Sequence, residues 1–180
     1  MRIWSLMYNA NNYENLERVG EFSLELLQSF DGRSKVEDWT PLAFKAMYGN
    51  RPWGDASSYH THMPIVTRRV IEATRDLLGN NVEILPVLCE KQELFLLNVT
   101  QVLDCIDYTR AIYKRFPSSG RIMRFKKFSF IKDKVIGMHV FKIKEQPLYG
   151  VFVSDEFRQR ILDNGLEGFA FELVWDSEVE

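Results

Sequence analysis

The sequence predicts an α+β fold, a single domain with a mainly antiparallel sheet and two or three short helices. Two segments carry this prediction because each has the pattern strand, helix, strand: IVTRRVIEATRDLLGNNVEILPV (65–87) and VFVSDEFRQRILDNGLEGFAFELVW (151–175). Composition is the third observation. The 180 residues are 46% hydrophobic, enough for one packed core, and no linker rich in Pro, Gly or Ser divides them. We therefore expect one domain that contains a repeated strand–helix–strand unit.

The later unit has clear signals at both ends of its helix. Ser154 follows a run of strand-type residues and can accept a hydrogen bond from the first turn, so it is the expected N-cap. Asp155 and Glu156 place negative charge where the helix dipole favours it. Gly165 suits the left-handed residue that ends many helices. Alternating apolar residues after Gly168 then predict a half-buried strand.

The earlier unit shows the same order of signals with different residues. Thr67 takes the cap position, and Gly79 ends the helix. Arg68 and Arg69 place two cations at the helix N-terminus, which costs roughly 0.3–1 kcal/mol each, and Glu72 can offset part of that cost. Two interpretations stay open for these arginines. They form a docking point for an acidic partner or a phosphate, or they belong to an ordinary solvated turn.

The first part of the chain is predicted to add strands and one loop. Residues 3–8 form a first strand that ends at an Asn-rich turn. The apolar stretches 22–27 and 42–48 fit either a helix or a strand. Between them and the first repeated unit, the aperiodic segment 49–62 predicts a loop that carries aromatic and histidine residues.

The later part of the chain alternates between strands and polar turns. Residues 82–88 and 93–99 are expected to pair as a hairpin across the polar connection 90–92. Residues 102–113 predict a short helix or two turns. The further predictions are a strand over 121–131, a turn at 132–134 and a strand over 139–143.

Composition also bounds where the protein works. No apolar run approaches the ~20 residues that a membrane-spanning helix needs, and the N-terminal segment lacks the apolar centre of a signal peptide. The only cysteines, Cys89 and Cys105, have apolar neighbours and are expected to be reduced packing residues. These features predict a cytoplasmic protein with no membrane partner.

One group of side chains could seed a metal site. His60 and His62, with Asp55 nearby, are suitable ligand types. A convincing site needs one more ligand, and the remaining histidine, His139, falls on a predicted strand. We therefore predict no metal and no cofactor.

The sequence also lacks a catalytic signature. Asp104 and Asp107 would share one face of a helix, but no nucleophile motif accompanies them. Ser154 lacks the glycine-flanked elbow of serine hydrolases, and its cap position accounts for it. Nucleotide-binding glycine motifs are absent. We predict a protein that is not an enzyme, with a small hydrolase that uses His60, His62 and the two aspartates as the weakest alternative.

The segment RIMRFKKFSFIKDK (121–134) has six basic residues, one acidic residue and three phenylalanines, Phe125, Phe128 and Phe130. Such a strand can present stacking rings and phosphate-binding charges to nucleic acid. An edge strand with inward rings and outward lysines yields the same pattern. The chain's net charge of −2 and its pI of about 6.0 argue against a dedicated nucleic-acid module, so this function is kept as an alternative.

The chain ends with the opposite charge. Residues 151–180 contain eight acidic and two basic residues. An acidic face can steer a cationic protein partner and raise its association rate. A solvated tail that aids solubility would have the same composition.

The order and spacing of four segments resembles bacterial immunity protein family 11 (the DUF1629 family). The segments are an LPV strand at 85–87, an LLNV strand at 96–99, a short acidic segment at 104–107 and the terminal unit at 153–171. The resemblance covers roughly residues 66–174, and the first 60 residues lie outside it. None of the four segments is catalytic.

The resemblance implies a cytoplasmic protein that binds and neutralises a cognate toxin. It also implies one immunity-type domain over 1–180, with a variable part at 1–60 and a family-like core at 65–175. Protein interfaces are anchored by aromatic side chains and surrounded by complementary charge. We predict that the partner is bound by aromatic residues of polar segments and by acids of the terminal unit, namely Trp39, Trp53, Tyr59, Asp155, Glu156, Asp163 and Glu167.

Overall fold

The computed structural model describes residues 1–21 and 23–179, and within them the chain forms thirteen strands and four α-helices. The strands are Arg2–Tyr8 (β1), Leu16–Arg18 (β2), Ala43–Ala46 (β3), Ala56–His60 (β4), Met63–Thr67 (β5), Val82–Cys89 (β6), Leu94–Val99 (β7), Val102–Leu103 (β8), Ile112–Arg115 (β9), Ile122–Lys127 (β10), Val140–Ile143 (β11), Phe152–Ser154 (β12) and Phe169–Asp176 (β13). The helices are Leu24–Gln28 (α1), Arg68–Leu78 (α2), Lys132–Val135 (α3) and Asp155–Asp163 (α4), with 3-10 turns at Val36–Asp38 and Gly79–Asn81.

The strands form two main sheets. A five-stranded sheet has the order β13-β1-β12-β11-β8, and a six-stranded sheet has the order β2-β3-β6-β7-β5-β4. Only the β8–β11 and β3–β6 pairs among them are parallel. The predicted α+β class with mainly antiparallel pairing is confirmed, and so is the β6–β7 hairpin.

The two strand–helix–strand units have the same topology. In the first unit, β7 lies between β5 and β6 and is antiparallel to both, with α2 as the crossover. In the second unit, β1 lies in the same way between β12 and β13, with α4 as the crossover. Strand β7 directly follows the first unit in the chain, whereas β1 precedes the second unit by more than a hundred residues. The repeat that the sequence predicts is therefore a repeat of strand order as well.

Local chemistry explains where the helices begin and end. The Ser154 hydroxyl accepts a hydrogen bond of 3.1 Å from the Phe157 amide, as expected for the N-cap of α4. Gly165 follows that helix with a φ of +57°, which favours glycine. Thr67 stands at the N-cap of α2 but makes no capping hydrogen bond there. Its hydroxyl donates to Asp55 instead, so the expected role of this side chain is wrong.

Three apolar clusters make up the core. The first joins α2 and α4 to both sheets and includes Val70, Ile71, Phe157 and Ile161. The second is rich in phenylalanine and lies on the five-stranded sheet. The third lies inside the six-stranded sheet, whose edge strands β2 and β4 contact each other because the sheet curls. Among the described residues, no helix has the length and apolar character to cross a membrane.

Three local predictions are wrong. Residues 102–113 were predicted as a short helix or two turns. They form extended segments on either side of one turn at 108–110, because β8 pairs with β11 and Ile106 bridges to Phe130. The predicted loop at 49–62 contains strand β4, which pairs with β5. The predicted turn at 132–134 is the start of the one-turn helix α3. In the ambiguous stretch 22–27, Ser23 is the N-cap of α1 and residues 24–27 lie in the helix, while Phe22 lies outside the described residues.

Candidate partner-binding surface

Trp53 and Glu167, two of the predicted contact residues, line one cleft at the N-terminal end of α2. The cleft has a volume of about 380 Å³. Its remaining wall includes Arg68, Arg69 and Glu93. The sequence places Trp53 and Glu167 in separate predicted elements, so only the tertiary structure unites them.

Both arginines at this helix end are neutralised within the molecule. Arg68 Nε donates to the Glu93 carboxylate at 2.9 Å, and Arg69 Nη1 donates to Asp55 at 2.9 and 3.0 Å. Glu72, which was predicted to offset part of the cost, attracts Arg68 less strongly than Glu93 does. The cleft therefore presents an indole and paired charges rather than two free cations.

Asp55 connects the segments that form the cleft. It is only 5% exposed, and its carboxylate accepts hydrogen bonds from the Thr67 hydroxyl (2.8 Å), from Arg69 and from the backbone amide of Glu167 (3.0 Å). Gly168 sits so close that a Cβ there would lie 2.3 Å from the Ala56 carbonyl oxygen. These contacts fix the loop before β13 against the start of α2. Asp55, which the sequence offered as a possible metal ligand, therefore has a structural role.

Trp39 and Tyr59 lie elsewhere and are half-buried. The Trp39 indole Nε1 donates to the Pro86 carbonyl at 2.8 Å, and its ring meets Phe30 edge-on at 6.2 Å. Tyr59 meets Phe44 edge-on at 5.0 Å, and burial raises the pKa of its hydroxyl. Both rings, like that of Trp53, pack against the third core cluster. Each contributes one side to the core and leaves another side to solvent.

The acidic residues of the second unit divide into two kinds. Asp155 is half-buried, and its carboxylate accepts from Arg2 and from the Trp4 indole, both at 2.9 Å. Glu156 and Asp163 are exposed on α4, where Asp163 accepts from Gln159 at 2.7 Å. Asp155 therefore ties α4 to β1, while the other two can meet a partner.

The side chains considered for metal or hydrolytic chemistry do not form one site. His62 Nε2 lies 3.2 Å from the Leu27 carbonyl, and burial lowers the pKa of this imidazole to about 4. Asp104 pairs with Lys144, and Asp107 accepts from Thr109. Within residues 1–21 and 23–179, no group of three or more His, Cys, Asp or Glu side chains could hold a metal ion.

Ser154 has a neighbour that the sequence did not indicate. Its Oγ shares a hydrogen bond of 3.0 Å with His139 Nδ1, on the segment that leads into β11. The same oxygen caps α4. This pair connects the helix start to the neighbouring strand, and local sequence could not reveal it because fifteen residues separate the two.

The rings of the basic segment are not available for stacking on bases. Phe128 and Phe130 are buried, and Phe125 is half-buried against the second core cluster. Phe125 and Phe128 stack on each other with centroids 4.7 Å apart. The nucleic-acid alternative required these three rings on an open face, and their packing contradicts it.

Comparison with known proteins gives one family. Residues 89–176 match the model of the immunity protein family Imm11. The resemblance predicted from the sequence is confirmed over these residues. No curated protein matches the chain. The matched residues run from the end of β6 through β13, so they include the whole second unit except its inserted strand β1.

Proposed function

We propose, from the match of residues 89–176 to the Imm11 immunity proteins, that this chain binds and neutralises a cognate bacterial toxin by protein–protein contact. The family match is the observation that carries the proposal. An inhibitor of this kind acts from the cytoplasm of the cell that makes the toxin. It performs no chemistry and works by covering its partner.

The cleft at the start of α2 is the proposed anchor of the interface. Trp53 is half-buried, so its indole is held by the core and still offers a face to a partner. Tryptophan is enriched among the few side chains that dominate binding energies. Glu167 adds a carboxylate at the rim of the same cleft.

The other predicted contacts have supporting parts in this proposal. Trp39 and Tyr59 offer half-buried rings on the curled sheet. Glu156 and Asp163 add exposed negative charge along α4, which can attract a cationic patch of the toxin. Asp155 contributes indirectly, because it holds α4 against β1.

The test is co-expression with the product of the adjacent upstream reading frame. We expect the two proteins to co-purify and the chain to restore growth of cells that make the toxin. Trp53→Ala should weaken binding by about 2 kcal/mol, roughly 30-fold in Kd, measured by calorimetry. Ile136→Ala removes an exposed apolar side chain away from the cleft and is the control.

Two outcomes would count against these ideas separately. Absence of both co-purification and growth rescue would remove the proposed function. Rescue with unchanged Kd for Trp53→Ala would keep the function and remove the cleft as its anchor.

A further inference from the structure

The β9–β10 hairpin and its flanks, residues 108–127, form a strongly cationic segment that we name the cationic arm. It contains seven basic residues and no acidic residue. Its two strands form a separate two-stranded sheet that joins neither main sheet. The arm lies within the family-matched region.

The positive charge of the arm is only partly balanced by contacts within the molecule. Lys114 and Arg124 are directly opposite each other in the strand register, and both are exposed. Like charges in such a pair destabilise a sheet. In the described part of the chain, no ion pair involves Lys114, Arg121, Arg124 or Lys126. An anionic partner would relieve this repulsion.

The arm is nevertheless well held. Tyr113 and Phe125 are opposite each other on the inner side, with ring centroids 6.0 Å apart, and Phe125 stacks on Phe128 of the core. Gln146 Nε2 donates to the carbonyls of Ile122 and Met123 at 3.2 and 3.0 Å. The cations are therefore displayed on a supported hairpin and not on a loose loop.

Apolar side chains are exposed among the cations. Ile112 is 54% exposed, and Phe116 and Met123 are exposed as well. A protein interface needs such side chains in its centre, with charges around them. Single-stranded nucleic acid would need a row of open rings. The arm exposes Phe116 near its tip and Tyr108 at its start, while Phe125 packs inward. The mixture favours a protein partner over nucleic acid.

We infer that the cationic arm docks on an acidic face of the partner protein, which is the toxin if the proposed function holds. The charge of the arm would speed encounter, since complementary fields raise association rates. Ile112, Phe116 and Met123 would then be covered in the complex. This surface is distinct from the Trp53 cleft, and its charge is opposite to that of α4.

Arg124→Glu tests the inference without harming the fold. The new carboxylate would lie opposite Lys114, which replaces a repulsive cross-strand pair by an attractive one. We expect the variant to melt no lower than the wild type. Its association rate with the product of the adjacent upstream reading frame should fall about tenfold at about 50 mM salt, and the difference should shrink at about 500 mM.

Arg75→Glu is the matched control, because Arg75 is exposed on α2 and the reversal changes the net charge equally. Its association rate should change less than about twofold. Equal rates for Arg124→Glu and the wild type would overturn the inference while leaving the function intact. A wild type that binds no toxin would contradict both the inference and the proposed function.

A roughly 20-nucleotide single-stranded DNA is the second analyte. If Arg124→Glu lost only DNA binding, the arm would be a nucleic-acid surface and the inference would be wrong.

Discussion

At the scale of single residues, Lys142 is a charged side chain that the fold buries completely. It is 0% exposed, and its Nζ donates to the Phe30 carbonyl just past α1. Burial lowers the pKa of the amine to about 8. His62 contacts the same part of the chain through the Leu27 carbonyl. Lys142 of β11 and His62 of the β4–β5 turn thus connect the end of α1 to the two sheets.

The first prediction concerns Lys142 and pH. Between about pH 8 and the ordinary pKa of 10.5, the unfolded state binds more protons than the folded state, so stability should rise with pH across this window. Below about pH 8 both states are protonated, and the burial cost of the charge is fully present. The lowered pKa corresponds to a gain of roughly 3 kcal/mol in the free energy of unfolding across the window. Urea unfolding at about pH 7 and about pH 10 measures it.

Lys142→Met is the comparison for that experiment. The substitution removes the titrating group and keeps an unbranched side chain that is one atom shorter. The stability of the variant should therefore rise by roughly 3 kcal/mol less across the same pH window. At about pH 7 the variant should be at least as stable as the wild type. Identical pH profiles for the two proteins would show that burial leaves the pKa of the amine at its ordinary value.

Some residue roles depend only on neighbours in the sequence, and these were predicted. The cap of α4 at Ser154 and the stop at Gly165 were predicted because each depends on neighbours within one helical turn. Thr67 has the same local pattern, but its hydroxyl donates a hydrogen bond to Asp55 and does not cap α2. No signal near Thr67 in the sequence indicates that competitor.

At the scale of elements, the strands and helices with strong patterns were predicted, and the weakly patterned ones were not. Helices α2 and α4 and the β6–β7 hairpin carry their own periodicity. Residues 102–113 contain several polar residues. Their first part, up to Ile106, is extended because β11 and Phe130 offer backbone partners. Strand β4 likewise depends on β5, which pairs with it.

The second prediction concerns the junction between elements at Asp55. Asp55→Ala removes the acceptor for Thr67, Arg69 and the Glu167 amide, and we expect a loss of roughly 3 kcal/mol in the free energy of unfolding. Asp55→Asn should lose less, because its amide oxygen still accepts. Denaturant titration gives both values.

Glu90→Ala is the control for the junction, since Glu90 is an exposed carboxylate in the β6–β7 turn. Its effect should stay within about 0.5 kcal/mol. If Asp55→Ala cost no more than this control, the carboxylate would not hold the cleft, and the Trp53–Glu167 geometry would need another support.

At the scale of the whole molecule, the N-terminal part is built into the family-matched part. Strand β1 is the second strand of the five-stranded sheet, with β12 on one side and β13 on the other. The first core cluster combines Leu6 and Val66 with Phe157 and Ile161. The proposed division into a variable part and a core therefore does not correspond to two separable structures.

The third prediction follows from this arrangement. A chain restricted to residues 89–176 lacks β1 and α2, so β12 and β13 lose the strand between them. We expect no cooperative thermal transition by circular dichroism. Addition of a separate chain of residues 1–88 should restore one. A cooperative transition for 89–176 alone would show that the matched region folds without β1.

The sequence by itself determined the α+β class, the two crossover helices, the Ser154 cap of α4, the β6–β7 hairpin and the family resemblance. These features depend on spacing and on contacts between near neighbours in the chain. Tertiary structure decided the rest: β1 inserts between β12 and β13, Lys142 is buried, and β9 and β10 form a sheet of their own. Asp55 and Glu167 illustrate the reason, because they are 112 residues apart in sequence and meet only when both units have folded.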